Sequence, residues 1–221
     1  MWIVFESRDG SSTLLSEKFG VTYHSKYGAL QESSHVFIKE GLFYKCIAKK
    51  ELKILEMGFG TGLNALLTQQ KAAALGLKIE YTAIERFPID FEILAKLNYC
   101  EKLGMTNGQC LFDQLHNSLW EETVKLSDHF SINKRNQAFE ETTFDSVFDI
   151  IYYDAFAPNV QPELWEAPIL QKMYDALIQG GILVTYCAKG DFKRALKSIG
   201  FDVKTLKGPP GKREMVRASK T

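Results

Sequence analysis

Apolar positions fall into two regimes along the chain. From Leu52 onward, short apolar runs alternate with stretches of helical spacing. Leu52–Met57 predicts a buried strand, Gly58–Gly62 a loop, Leu63–Leu75 a helix, Ile79–Glu85 a second strand, and Pro88–Leu103 a helix with proline in its first turn. The pattern resumes with Val147–Tyr153 as a strand, a loop holding Pro158 and Pro162, a helix over Glu163–Ile178 stopped by Gly180-Gly181, and a strand at Ile182–Cys187. A helix over Asp191–Ser198 closes at Gly200, and Phe201–Leu206 and Glu214–Ala218 flank the turn Gly208-Pro209-Pro210-Gly211 as an antiparallel hairpin. Such alternation predicts an α/β domain, a mostly parallel sheet with helices on both faces. Residues 104–146 carry the weakest periodicity, with a short helix predicted around Leu115–Lys125 and a strand at Phe130–Asn133.

The first 50 residues follow another pattern. Two β-like runs flank the turn Asp9-Gly10-Ser11-Ser12, and Gly28 opens a helix through Leu30, Phe37 and Ile38. We read residues 1–50 as an amino-terminal appendage and 51–221 as the main domain.

Composition adds exclusions. No apolar run of membrane-spanning length occurs, and the first residues show neither a basic region nor a cleavage site, so the sequence predicts a cytoplasmic protein without a membrane anchor. Cys46, Cys100, Cys110 and Cys187 are too scattered for a disulfide framework or zinc site, and His24, His35, His116 and His129 form no cluster, so no metal is expected. The formal net charge of zero hides an asymmetry. From Lys189 onward there are 10 basic and 3 acidic residues, against 17 basic and 24 acidic before it. A basic carboxyl-terminal region is compatible with a nucleic-acid partner, and equally with ordinary solvent-facing helix and strand positions.

The most informative stretch is Glu56-Met57-Gly58-Phe59-Gly60-Thr61-Gly62-Leu63-Asn64, between a strand and a helix. Three glycines in five residues let the backbone approach a ligand, but the third comes one position too early for a dinucleotide fingerprint. Glu56 at the strand end would repel a phosphate and suit a cationic amino group. Glu85, at the end of the next strand, is placed to accept hydrogen bonds from ribose hydroxyls. Together these residues predict an S-adenosylmethionine site of the class I (Rossmann-like) methyltransferase type. The second constellation is Asp154-Ala155-Phe156-Ala157-Pro158, after the strand ending at Tyr153, where a carboxylate beside an aromatic ring and a proline could hold an amine and stack a planar base.

The segments EMGFGTGLN, DAFAPNVQPELW and GFDVKTLKGPPGKREMVRA, with DGSSTL, YHSKYGALQESSHVFI and LHNSLWEE, resemble the tRNA 5-methylaminomethyl-2-thiouridine methyltransferase family. That family occurs alone as MnmD and as the first half of the bifunctional MnmC. The resemblance implies methyl transfer from S-adenosylmethionine to the aminomethyl nitrogen of a tRNA wobble uridine. It places Gly58, Gly60, Thr61, Gly62 and Asn64 on the cofactor loop, Glu85 at the ribose, and Asp154 with Phe156 on the active-site loop. Lys212-Arg213-Glu214-Met215 matches a terminal family motif and Gln31-Glu32-Ser33-Ser34 an earlier one, making Glu32, Lys212 and Arg213 substrate-binding candidates together with Pro158 of the Asp154 loop. Lys212 and Arg213 are expected to meet tRNA phosphates together with some of Lys189, Lys193, Arg194 and Lys197.

Two departures stand out: the sequence contains no counterpart of the flavin-dependent oxidase half, and Arg135-Asn136-Gln137-Ala138 stands where an acid beside the adenine is expected. The alternatives are a methyltransferase of a small amine or hydroxyl, served equally well by the same loop, and a noncatalytic binding module.

Overall fold

The computed structural model describes residues 2–17, 20–105 and 108–221. Strands β1 (Trp2–Glu6), β2 (Ser12–Ser16) and β3 (Val21–Thr22) form a small antiparallel sheet, the third strand being absent from the sequence expectation. A helix follows over residues 29–46, α1, whose middle section Ser34–Phe43 is wound wider as π-helix. Its first turn is satisfied from outside: Ala29 donates to Ser11 Oγ at 3.1 Å and Gln31 to Asp9 Oδ2 at 3.1 Å. The turn Asp9–Ser11 thus caps the helix that carries Glu32.

The main sheet has eight strands: β4 (Glu51–Met57), β5 (Lys78–Ile84), β6 (Thr123–Ser127), β7 (Phe130–Arg135), β8 (Phe148–Tyr153), β9 (Leu177–Thr185), β10 (Phe201–Lys207) and β11 (Glu214–Lys220). Their spatial order is β10-β11-β9-β8-β4-β5-β7-β6. The five inner strands β9, β8, β4, β5 and β7 are parallel, and antiparallel hairpins complete both edges. The helices are α2 (Leu63–Leu75), α3 (Phe91–Leu94), α4 (Tyr99–Lys102), α5 (Gly108–Asn117), α6 (Ala167–Ala176) and α7 (Gly190–Ile199).

Strand alternation sorts the core. Ile54, Ile150, Tyr152, Ile182 and Val184 face the layer of α1 and α2, while Leu55, Met57, Ile151, Tyr153 and Leu183 face α6 and α7. Phe37 of α1 lies 5.2 Å from Tyr152, ring centroid to centroid, so the amino-terminal segment supplies one of the layers covering the sheet.

Three expectations change. The helix expected over Pro88–Leu103 breaks into α3 and α4, because Asn98 between them is committed elsewhere, donating to the Gly10 carbonyl at 2.9 Å and accepting from Ser12 N–H at 2.8 Å. The region expected as a helix over Leu115–Lys125 holds the end of α5 and the start of strand β6. Gly180-Gly181 does not stop a helix. Strand β9 runs through both glycines, Gly180 taking φ +75° as the register against β8 shifts.

Candidate active site

Chain order reverses direction across the sheet between β4 and β8, and ligands of open α/β sheets bind beyond the carboxyl ends of the strands at such a point. The glycine loop leaves β4 there and residues 154–158 leave β8 beside it, joined by Asp154 N–H donating to the Met57 carbonyl at 3.0 Å. At Gly58, φ is +98°, and a β-carbon would stand 2.7 Å from the Asp154 carbonyl oxygen. Only glycine permits this approach. A β-carbon on Gly60 would stand 2.8 Å from Cε1 of Tyr23, whose ring covers the loop.

One end of the resulting cavity is polar. Glu85 accepts from Gly60 N–H at 3.0 Å and Phe87 N–H at 2.8 Å, one bond per carboxylate oxygen, which leaves each oxygen further acceptor capacity. Burial raises its carboxyl above the ordinary range. Thr61 is held by Tyr99, whose hydroxyl donates to Thr61 Oγ1 at 3.1 Å, and His116 Nε2 lies 3.1 Å from the Thr61 carbonyl. Burial pushes the His116 imidazole down to about 3, so it is neutral.

Deeper in, Asn64 Nδ2 donates to Glu56 Oε1 at 2.9 Å and to Asp154 Oδ2 at 2.8 Å. One amide therefore bridges the carboxylate from β4 to the carboxylate after β8. Glu56 Oε2 and Asn64 Oδ1 are buried without a hydrogen-bond partner among the described residues. Burial holds the Glu56 carboxyl well above the usual range, and the nearby Asp154 charge adds to it. Two orphaned buried acceptors are costly unless a donor arrives. The Tyr81 hydroxyl, also without a partner among the described residues, stands beside Glu56 and can serve one of them, and a cationic amino group is a donor that fits the remaining capacity.

Asp154 is half-buried, and its carboxyl is pushed up to about 7, first by burial and then by the Glu32 charge, against the opposing effects of the Asn64 hydrogen bond and Lys212. Glu32 is buried on α1, its Oε2 accepting from Ser25 N–H at 2.8 Å and its Oε1 from the Lys212 ammonium. Lys212 Nζ also lies 3.7 Å from the centroid of the Tyr186 ring. It reaches this place because β11 runs antiparallel to β9, which brings the loop before Glu214 to the carboxyl end of the sheet. Tyr186 in turn donates to the Ala155 carbonyl at 2.8 Å.

The structure thus joins Gly58, Gly60, Thr61, Asn64, Glu85, Asp154 and Phe156 around one crevice, with Glu56 wholly buried behind Asn64, Gly62 at the start of α2, and Glu32 and Lys212 paired beside it. Pro158 lies half-buried in the turn, and Arg213 is exposed on the loop after Lys212. Lys212 is occupied by Glu32 and Tyr186 rather than projecting freely toward an RNA backbone. Lys193 and Arg194 likewise pair with Glu214 and Asp191. Lys189 and Lys197 are exposed.

Sequence reasoning missed an aromatic wall and much of the opposite rim. Tyr23 packs on Trp2 at 5.2 Å and on Phe156 at 4.9 Å, all three lining the cavity. Trp165 donates to the Phe156 carbonyl at 2.7 Å and so fixes the loop that follows β8. Where an acid was sought at Arg135–Ala138, the cavity is lined instead by Phe139 and Glu140. Tyr23 stands within a segment already singled out by resemblance, which was the available signal; Phe139 and Glu140 offered none. Among the described residues no group of three or more His, Cys, Asp or Glu is disposed to hold a metal, and no helix is long and apolar enough to cross a membrane.

Residues 121–221 match the model of a family described as S-adenosyl-L-methionine-dependent methyltransferase. The tRNA 5-methylaminomethyl-2-thiouridine biosynthesis bifunctional protein MnmC of Marinomonas sp. is 30% identical over 90% of this chain and 31% of its own length. The MnmC of Aromatoleum aromaticum is 28% identical over 93% of this chain and 33% of its own. The chain therefore spans about a third of the length of these relatives. Among solved structures, MNMC2 from Aquifex aeolicus superimposes with a TM-score of 0.80 at 22% identity, covering 100% of this chain and 70% of that one.

Proposed function

We propose that this chain, whose residues 121–221 match a family of S-adenosyl-L-methionine-dependent methyltransferases and which is similar to about a third of MnmC, is a methyltransferase that methylates the aminomethyl nitrogen of 5-aminomethyl-(2-thio)uridine at the tRNA wobble position. The observation that carries this reading is the Asn64 bridge between Glu56 and Asp154. It puts a carboxylate suited to a substrate amine one side chain away from the orphaned acceptors suited to the cofactor's amino group.

S-Adenosylmethionine bound in the crevice supplies an electrophilic methyl group on a sulfonium. Glu85 and the glycine loop would hold its ribose, and Glu56 with Asn64 its amino group. The chain's remaining task is to present an uncharged amine in line. A free alkylamine is mostly ammonium at neutral pH, as the lysine reference of about 10.4 illustrates. Asp154, with a carboxyl near 7, is matched to accept a proton or hydrogen bond from that nitrogen under physiological conditions. With the cofactor held there, the amine lone pair would form the new N–C bond as the S–C bond breaks, giving a neutral thioether and a methylated ammonium. Starting from the ammonium, one proton is released per turnover. The direct displacement needs neither a covalent enzyme intermediate nor a metal.

Mass spectrometry of tRNA nucleosides before and after incubation with the protein and S-adenosylmethionine tests the reading. It expects 5-aminomethyl nucleosides to gain one methyl group. Unchanged nucleosides in tRNA rich in the 5-aminomethyl form would contradict it.

A further inference from the structure

We propose that Lys212 keeps the target amine neutral, its ammonium fixed by Glu32 over the Tyr186 ring so that a second positive charge beside it is disfavoured. The inference rests on the amine-methylating function above and deepens it. Two carboxylates, Glu32 and Asp154, act on one another through space at the edge of the crevice. By themselves they would hold a substrate nitrogen as ammonium, which has no lone pair to attack with. A resident cation weakens that bias, because a like charge within several ångströms lowers an amine's affinity for its proton.

Lys212 is held in place from several directions. Its Nζ contacts Glu32 Oε1, and the other oxygen of that carboxylate is fixed by Ser25 N–H at 2.8 Å. The Tyr186 ring lies 3.7 Å from the same nitrogen, and the Tyr186 hydroxyl is tied to the Ala155 carbonyl next to Asp154. The charged and titratable groups around it come from separate elements: Glu32 from α1, His24 from the segment after β3, Asp154 from the end of β8, and Tyr186 and Cys187 from the end of β9. His24 is buried, and its imidazole is lowered to about 4, so it carries no charge at neutral pH. Cys187 also meets the charge of the exposed Lys189, but Lys212 is the cation that acts on both Asp154 and His24. Its pairing with a carboxylate buried on α1 also distinguishes it from the exposed Arg213 next to it, which is free to face a phosphate.

The test is the pH dependence of single-turnover methyl transfer to an anticodon stem–loop carrying 5-aminomethyluridine. The wild-type rate should rise with pH and level off. In Lys212→Met the midpoint should move up by about one unit, lowering the rate at pH 7 by about tenfold while the high-pH plateau stays within about threefold. Lys212→Arg, which keeps the charge, should retain the wild-type midpoint. Adding Glu32→Gln to Lys212→Met should bring the midpoint back down, an outcome that loss of packing alone would not produce. Melting curves of each variant separate misfolding from chemistry. A Lys212→Met protein that melts like the wild type but is slowed equally at every pH, or whose only defect is weaker stem–loop binding, would overturn the inference. No transfer by the wild-type protein would overturn the amine-methylating function and the inference resting on it.

Discussion

The two halves of the crevice are built in opposite ways. The half proposed for the cofactor comes from one contiguous β4–loop–α2–β5 unit, in which Glu56, Gly58, Gly60, Thr61, Gly62, Asn64 and Glu85 fall within 30 residues. The half proposed for the amine takes Glu32 from α1, Asp154 from the end of β8, Tyr186 from the end of β9 and Lys212 from the last hairpin, so that its central ion pair joins residues 180 positions apart. The first half depends on backbone shape, the second on a balance of charges. Local geometry tolerates little substitution of its glycines, whereas a charge balance can be shifted one residue at a time and read in a pH profile.

The largest expected effect is at the residue the halves share. Asp154→Asn preserves shape but removes the carboxylate, and single-turnover transfer should fall by about 10²-fold or more while cofactor affinity changes little. A near-wild-type rate would leave the amine half without its acceptor and make Asp154 a structural link. The same variant has a stability signature. The Asp154 carboxyl rises from 3.8 to about 7 in the folded chain, so the folded state holds the proton more tightly than the unfolded one. Its contribution to stability is complete below the unfolded value and is lost as pH rises through about 7. The melting-temperature difference between Asp154→Asn and wild type should therefore move in the variant's favour from about pH 4 to about pH 8.

An intermediate effect should isolate the cofactor half. Glu85→Ala removes the carboxylate that anchors the backbone of Gly60 and Phe87 and is placed to receive ribose hydroxyls. At about 1.5–3 kcal/mol per charge-assisted bond, calorimetric affinity for S-adenosylmethionine should fall more than tenfold, with stem–loop binding unaffected. Equal affinity in that variant would place the ribose elsewhere. The smallest effect belongs outside both halves. Arg213→Glu should weaken tRNA binding severalfold and lower the log–log salt slope by roughly 0.7–0.9 per lost phosphate contact. An intact slope would move the RNA surface away from the hairpin loop.

The same contrast explains what could be read from the sequence. Spacing within one β–loop–α unit survives in linear order, so the glycine loop and Glu85 were legible from residue type and position. Asp154 was legible because it directly follows the mostly apolar run of β8, whose one charged residue is Asp149. The ion pair of Glu32 with Lys212 was not, since nothing local states that β11 returns antiparallel to β9 and brings its loop over α1. Tertiary demands also overrode local pattern at Asn98, whose side chain serves the amino-terminal turn rather than a continuous helix. Lys134 shows why residues 104–146 were hard to read. A lysine would ordinarily mark a solvent face, but here it is wholly buried, donating to the Leu115 and His116 carbonyls at 3.0 and 2.7 Å at the end of α5.

The account stands most directly on where the methyl group goes. Methyl-labelled S-adenosylmethionine should be offered with the protein to an anticodon stem–loop carrying 5-aminomethyluridine, to the same stem–loop with 5-hydroxymethyluridine, and to the free 5-aminomethyl nucleoside. The account predicts label on the exocyclic nitrogen of the first substrate, with little on the other two. Transfer to the hydroxymethyl stem–loop or to the free nucleoside at a comparable rate, or label on a ring or ribose atom, would contradict it.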